Sequence, residues 1–383
     1  MPAHAQIHTT ITTLPTGPPL VIAIIAGTSG IGSYIAKAFA SVYRNSGTKL
    51  RVYVVGRNTS RAEALLAHVR STSPGSEWRF IKAQDLALMS DVDAVCAQIK
   101  RYEEEEPFEG GGGPRIDMLY MGQAIFPLAP SIVSFHSLLH YSMTGEYNTW
   151  SDESFSHTNI NHQSSSNKEG LDTQMSLLYY SRIRFILKLT PLLLCSQNPS
   201  GAHVISVFAG TMEDPIDAKN LPIGPPPPEK YGVTSVRTHV SFMKTHFFEA
   251  LAEQHAGNIS FIHVFPGLVD GPTFYNDANP LWFRVLWRVA KVMMSWYMTS
   301  PQVCGEVMVL LGTGRYPAKG VAVGGGDVAF SSTRERGGGA YAVDQRGDEK
   351  KQVSYAKLRQ SDTRDRVWKH TMGVLNGIQE MTG

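Results

Sequence analysis

The chain has 383 residues, with 35 Lys and Arg against 33 Asp and Glu, and a formal charge of +2 excludes a partner held by net charge alone, nucleic acid included. At 42% hydrophobic and 18% charged it is ordinary globular material, long enough for one large α/β core or two domains. Cys96, Cys195 and Cys304 are far apart with no CxxC pair, which sets aside a disulfide framework and a zinc knuckle, and no metal is expected. The opening residues lack the basic n-region of a signal peptide, and no apolar run reaches membrane-span length. A soluble, cytoplasmic protein is the expectation.

Residues 20–26, LVIAIIA, form a continuous apolar and β-branched run, the pattern of a strand buried on both faces of a parallel sheet. Gly27, Thr28, Ser29, Gly30, Ile31 and Gly32 follow at once, and residues 33–40 carry small and apolar side chains at helical spacing. Strand, glycine turn and helix in succession make a phosphate site. The backbone can turn sharply and approach the ligand, and the helix start points free N–H groups at negative charge. Dinucleotide binding is therefore favoured over a plain βα turn.

These residues resemble the cofactor loop of the short-chain dehydrogenase/reductase superfamily, and GTSGIG is similar to members from secondary-metabolite pathways of filamentous fungi. The superfamily has a glycine where Ala26 stands, so an extra methyl tightens the pyrophosphate approach. Residues 50–55 read as a second strand, followed by Gly56, Arg57 and Asn58, with Arg61 one turn later. An acidic residue at that strand end would bind the ribose hydroxyls and repel an added phosphate, so Arg57 favours NADP(H) over NAD(H). Residues 78–82 read as a third strand, after which the resemblance puts Asp85 near the adenine. Residues 91–104 form an amphipathic helix with Val92, Val95, Cys96 and Ile99 inward, and 103–106 with 110–113 a solvated surface loop. Residues 116–121 read as the fourth strand. Met121, Gly122, Gln123 and Ala124 then stand where relatives carry Asn-Asn-Ala-Gly, and Gly122 is expected to face the cofactor.

A polar insertion occupies about 127–170, too long for a plain loop in a compact domain. Either a lid or a retained intron over 132–166 accounts for it, and transcript sequencing that reads the region as exon would remove the second. His136, His140, His157 and His162 within it are not taken as a metal site. Residues 171–194 read as one long helix, 202–208 as the fifth strand, 236–255 as a helix and 258–264 as the sixth strand. Pro266 and Gly267 match the superfamily loop that covers the nicotinamide. Residues 281–297 are amphipathic: Trp282, Val285, Leu286, Val289, Val292, Met293 and Trp296 line one face and Arg284, Arg288 and Lys291 the other. By resemblance this segment caps an apolar substrate; packing on the protein's own core is expected, with a membrane-surface helix as the alternative. Residues 338–345 read as an edge strand and 362–378 as a terminal helix.

The superfamily reduces carbonyls with a Ser after the fifth strand and a Tyr four residues before a Lys on the next helix. Alignment places Ala209, Arg237 and Ser241 at these positions, and Leu178 at that of a helix asparagine, so the usual relay is missing. His239, Tyr231, Ser206 and Lys244 remain as candidates, His239 first because imidazole donates near neutral pH. The SxxK spacing from Ser241 to Lys244 is taken as chance.

The expected fold is a doubly wound parallel α/β sheet of Rossmann type. Residues 1–18 form an arm, 19–279 the dinucleotide domain, and 280–383 a substrate-capping extension. The expected function is NADP(H)-dependent reduction of a carbonyl or enone in an apolar polyketide or terpenoid intermediate, with homo-oligomerisation open. A non-redox isomerase, cyclase or dehydratase and a non-catalytic nucleotide-binding regulator are the rivals.

Overall fold

The computed structural model describes residues 4–124, 165–211, 213, 216, 223–275, 281–293, 296, 298–322, 327–349, 358–359 and 362–382. Most of the expected insertion, with His136, His140, His157 and His162, lies outside these residues, as do 294, 295 and 297 of the 281–297 segment.

Seven strands form one parallel sheet in the order β3-β2-β1-β4-β5-β6-β7. They are β1 (Leu20–Ile25), β2 (Leu50–Gly56), β3 (Glu77–Lys82), β4 (Met118–Met121), β5 (Ala202–Val207), β6 (Ile259–Val264) and β7 (Ala340–Val343). β1 is buried at all six positions because both its faces are covered: Val21, Ala23 and Ile25 enter one core and Leu20, Ile22 and Ile24 the other. β1 pairs with β2 on one side, Leu20 opposite Leu50, and with β4 on the other, Ile22 opposite Met118. The strand order reverses between them, which opens a crevice at their carboxyl ends.

The helices are α1 (His4–Thr12), α2 (Gly30–Val42), α3 (Thr59–Thr72), α4 (Met89–Glu105), α5 (Ser181–Leu193), α6 (Val233–Gln254), α7 (Leu281–Met293), α8 (Pro301–Leu310) and α9 (Thr363–Thr382). Residues of α1, α2, α3 and α8 fill the core on one face of the sheet, and those of α4, α5, α6 and α9 the core on the other. α8 crosses α2 closely at Gly305, where a Cβ would stand 2.6 Å from Tyr34 O.

Three expectations change. The single helix over 171–194 is broken: Ser176–Tyr180 is a π turn between the short Thr173–Met175 segment and α5. The wider turn leaves Leu177 O to accept from Ser181 Oγ at 3.3 Å and Arg182 Nε at 3.4 Å. Glu103, expected in a solvated loop, is buried because it accepts from Arg51 NH1 at 3.0 Å, the Tyr53 hydroxyl at 2.6 Å and Arg115 N at 3.1 Å. The apolar face of α7 does not pack on the core; among its described side chains Trp287 and Ala290 are buried, and neither belongs to that face.

Candidate active site

The loop after β1 is shaped by contacts that leave no room for side chains. Gly27 donates its N–H to Val55 O at 2.8 Å, and a Cβ on Gly32 would lie 2.4 Å from Ala26 O. Ala26, where the superfamily has glycine, is left-handed at φ 62°, a conformation that strains an L-residue by about 1–2 kcal/mol. Gly30 is left-handed at φ 54°, and nothing lies within 4 Å of where its Cβ would be. Ser29 precedes α2 without a side-chain cap, so the first amides of the helix are not satisfied by its own N-cap. Such a helix start, beside an open glycine, fits a pyrophosphate.

From Thr28, Ser29 and Gly30 a cavity of about 590 Å³ runs along Ser33, Lys37, Arg61 and His68 to Pro272. Arg61 therefore shares a cavity with the glycine loop, whereas Arg57 is exposed at the end of β2. Asn58 caps α3, its Oδ1 accepting from Arg61 N at 2.8 Å, so its side chain is partly committed to structure. Asp85 is half-buried and shapes its own turn: Oδ1 accepts from Ala87 N at 2.9 Å. Gly122 continues the ladder past β4, its N–H donating to Ile25 O at 3.1 Å. Pro266 and Gly267 follow β6; Gly267 has φ 75°, and a Cβ there would meet Gln345 and Thr299 at 2.9 Å.

Beneath the ends of β4, β5 and β6 lies a buried basic cluster that sequence reading largely missed. Arg182 of α5 is fully buried, donating from NH1 to Ser206 Oγ at 2.8 Å and Val207 O at 2.9 Å, and from NH2 to Gln123 O at 2.6 Å. Burial pushes its guanidinium down to about 9. Lys244 of α6 is fully buried and its Nζ has no hydrogen-bond partner among the described residues; it sits 5.4 Å from the Phe208 ring centre. Burial first and the Arg182 charge second hold its amine well below the ordinary lysine value, against the opposing pull of Glu213. His263 of β6 accepts from Ala209 N at Nε2, 3.1 Å, which puts its proton on Nδ1, 3.6 Å from Glu213 Oε1. It too is held well below its usual value, by burial and then by Lys244 and Arg182. The signal available in the sequence was the pair Arg182 and Arg184 inside an otherwise apolar helix.

The structure brings Ala209 and Ser241 together, Ser241 Oγ donating to Ala209 O at 3.5 Å. It does not join the three leading catalytic candidates by any hydrogen bond among the described residues. Tyr231 donates its hydroxyl to Asp172 Oδ2 at 2.7 Å, and burial together with that carboxylate raises its phenol above the ordinary value. His239 is buried and bonded through Nδ1 to Gly224 O at 2.7 Å, so Nδ1 carries the proton and Nε2 a lone pair. Burial lowers its imidazole against the opposing carbonyl, making it an acceptor rather than the donor anticipated from its ordinary value. Ser206 is buried and accepts from Arg182. Leu178 lies in the π turn. Thr211, just past β5, is buried and left-handed at φ 69°, a strained conformation for a β-branched residue.

The reversed strand order and the glycine turn at its centre define a doubly wound α/β fold with a phosphate-binding crevice. No family model matches the chain. It is 43% identical over 388 residues to short-chain dehydrogenase/reductase SAT2 of Stachybotrys chartarum, the match covering 99% of this chain and 98% of that protein. The chain thus belongs to the short-chain dehydrogenase/reductase family, a family of oxidoreductases. It is 28% identical over 368 residues to oxidoreductase AN1596 of Emericella nidulans, covering 94% and 93% of the two chains. Among solved structures, L-sorbose reductase from Gluconobacter frateurii, complexed with NADPH and L-sorbose, aligns at 17% identity and a TM-score of 0.49, over 88% of this chain and 98% of that one.

Proposed function

We propose that the protein is an NADP(H)-dependent oxidoreductase acting on a carbonyl or enone of an apolar secondary-metabolite intermediate. The observation that carries the cofactor reading is the cavity that joins the uncapped start of α2 to Arg61. The amides around Gly30 would hold the pyrophosphate, and Arg61, with Arg57 beside it, a 2′-phosphate. Asp85, Gly122, Pro266 and Gly267 line the strand ends where adenine and nicotinamide would lie. When bound, the nicotinamide supplies or accepts hydride. The relatives named above come from fungi, and likeness to secondary-metabolite enzymes in GTSGIG and YYSRIRFILKLTPLLL supports the substrate class.

With Arg237 and Ser241 at the positions of the usual Tyr and Lys, the chain's own residues handle charge differently. Arg182 places positive potential beneath the strand ends, with the Lys244 amine buried beside it, and an alkoxide developing there would be stabilised by groups already in position. His239, neutral with a lone pair on Nε2, suits accepting a proton in alcohol oxidation. A second reading, a non-redox isomerase, cyclase or dehydratase, is favoured by one observation: Tyr231 donates its hydroxyl to Asp172, and no lysine is bonded to it among the described residues. Transfer of label from 4-deuterated NADPH to product supports the redox reading, and turnover unchanged by omitting NADPH refutes it.

A further inference from the structure

α7 is fastened to the body along the side that carries Trp287 and Lys291. Trp287 is 2% exposed, stacks on Phe274 at 3.9 Å between ring centres, and donates Nε1–H to Asp270 Oδ1 at 3.2 Å. Lys291 Nζ donates to Asp270 Oδ2 at 3.1 Å and to the Tyr275 hydroxyl at 2.8 Å, and the Tyr34 hydroxyl donates to Asp270 O at 2.8 Å. This hub fixes the rotation of the helix. With about 100° per residue, Leu281, Val292, Val285, Val289, Trp282, Met293 and Leu286 follow one another across a single outward arc of roughly 140°. All seven are at least 45% exposed, and Trp296 just beyond is 74% exposed. The exposed Arg288 borders the arc, Arg284 lies beside it, and the helix LWFRVLWRVAKVM has no acidic residue.

A contiguous apolar face of this kind is an interaction surface. A second copy is poorly matched to it: a helix about 20 Å long offers a strip about 10 Å wide, roughly 200 Å² of footprint. Even doubled for side-chain relief, that falls short of the ~800 Å² per partner of a standard interface. A lipid surface sets no such requirement, and an apolar arc with a cationic border and tryptophans near both ends is the arrangement it takes up. We propose that α7 lies in the interface of a bilayer containing anionic lipid, with Val289 at the centre of the immersed face and Arg288 among the headgroups.

The test is flotation of the full chain with phosphatidylcholine vesicles, alone or with about 30% phosphatidylserine. The expected result is co-flotation, stronger with phosphatidylserine. Val289→Glu lowers the partition coefficient at least tenfold, and Arg288→Glu removes the phosphatidylserine preference. Both positions are exposed, so melting temperatures should stay close to that of the parent. Failure to float with either vesicle, flotation untouched by Val289→Glu, or a dimer in sedimentation velocity that Val289→Glu dissociates would each overturn the proposal.

Discussion

Replacing Lys244 by Met tests the buried basic cluster most directly. The amine is fully buried, has no hydrogen-bond partner among the described residues, and faces Arg182 from α5, His263 from β6, Glu213 from the segment after β5 and the Phe208 ring. An unbonded buried polar group costs about 1–3 kcal/mol, and Met keeps most of the volume. The variant should therefore melt about 2–6 °C higher, at roughly 2 °C per kcal/mol for a chain of this size. The sign with pH follows from the lowered amine. The unfolded chain binds this proton more tightly, so wild-type stability rises as pH climbs toward the ordinary lysine value of 10.5, at up to about 1.4 kcal/mol per pH unit. The penalty is complete only below the folded value. Lys244→Met lacks this component, so its advantage is largest at low pH and shrinks toward 10.5. Denaturant unfolding of both proteins over about pH 7–10 reads the difference. A variant less stable by more than about 1 kcal/mol, with the wild-type slope intact, would refute the reasoning and make Lys244 a paired cation holding Glu213. If the amine also serves the reaction, the stabilised variant loses turnover.

Arg61→Ala should weaken NADPH binding about ten- to hundredfold, the worth of one charge-assisted contact, and leave NADH binding nearly unchanged, as read by fluorescence titration. Gly32→Ala forces a methyl to within 2.4 Å of the Ala26 carbonyl oxygen, a backbone atom that no rotamer change moves. Loss of NADPH binding and about 1–3 kcal/mol of stability are expected. Ala26→Gly relieves a left-handed alanine, partly offset by the greater freedom of glycine in the unfolded chain. Stability should stay level or rise by up to about 1 kcal/mol, and a larger fall would contradict the strained conformation.

The sheet was legible because central parallel strands leave continuous apolar runs: all six expected strands form, within two residues of their expected starts, and the expected edge strand appears as β7. Helices without a clean apolar stripe were missed. α1 carries three threonines, α3 is largely exposed, and α8, PQVCGEVMVL, is buried nearly all round and reads equally well as a strand. The glycine loop was legible because close backbone approach demands small residues at fixed spacing. The interior of the site was not, since the pairing of Arg182 with Ser206, or of Ala209 with His263, joins residues 24 and 54 positions apart. Tyr231 and His239 carried the right chemistry in name, but their neighbours Asp172 and Gly224 decide which way their protons point.

β7 also bears on how the protein can be trimmed for expression. It is the last strand of the sheet and pairs along β6 from Phe261 opposite Ala340 to Val264 opposite Val343. A version cut before residue 340 would bare the peptide groups of β6, a strand buried at all six positions and so a template for strand addition between molecules. Such a truncation should be recovered from inclusion bodies, however complete its glycine loop.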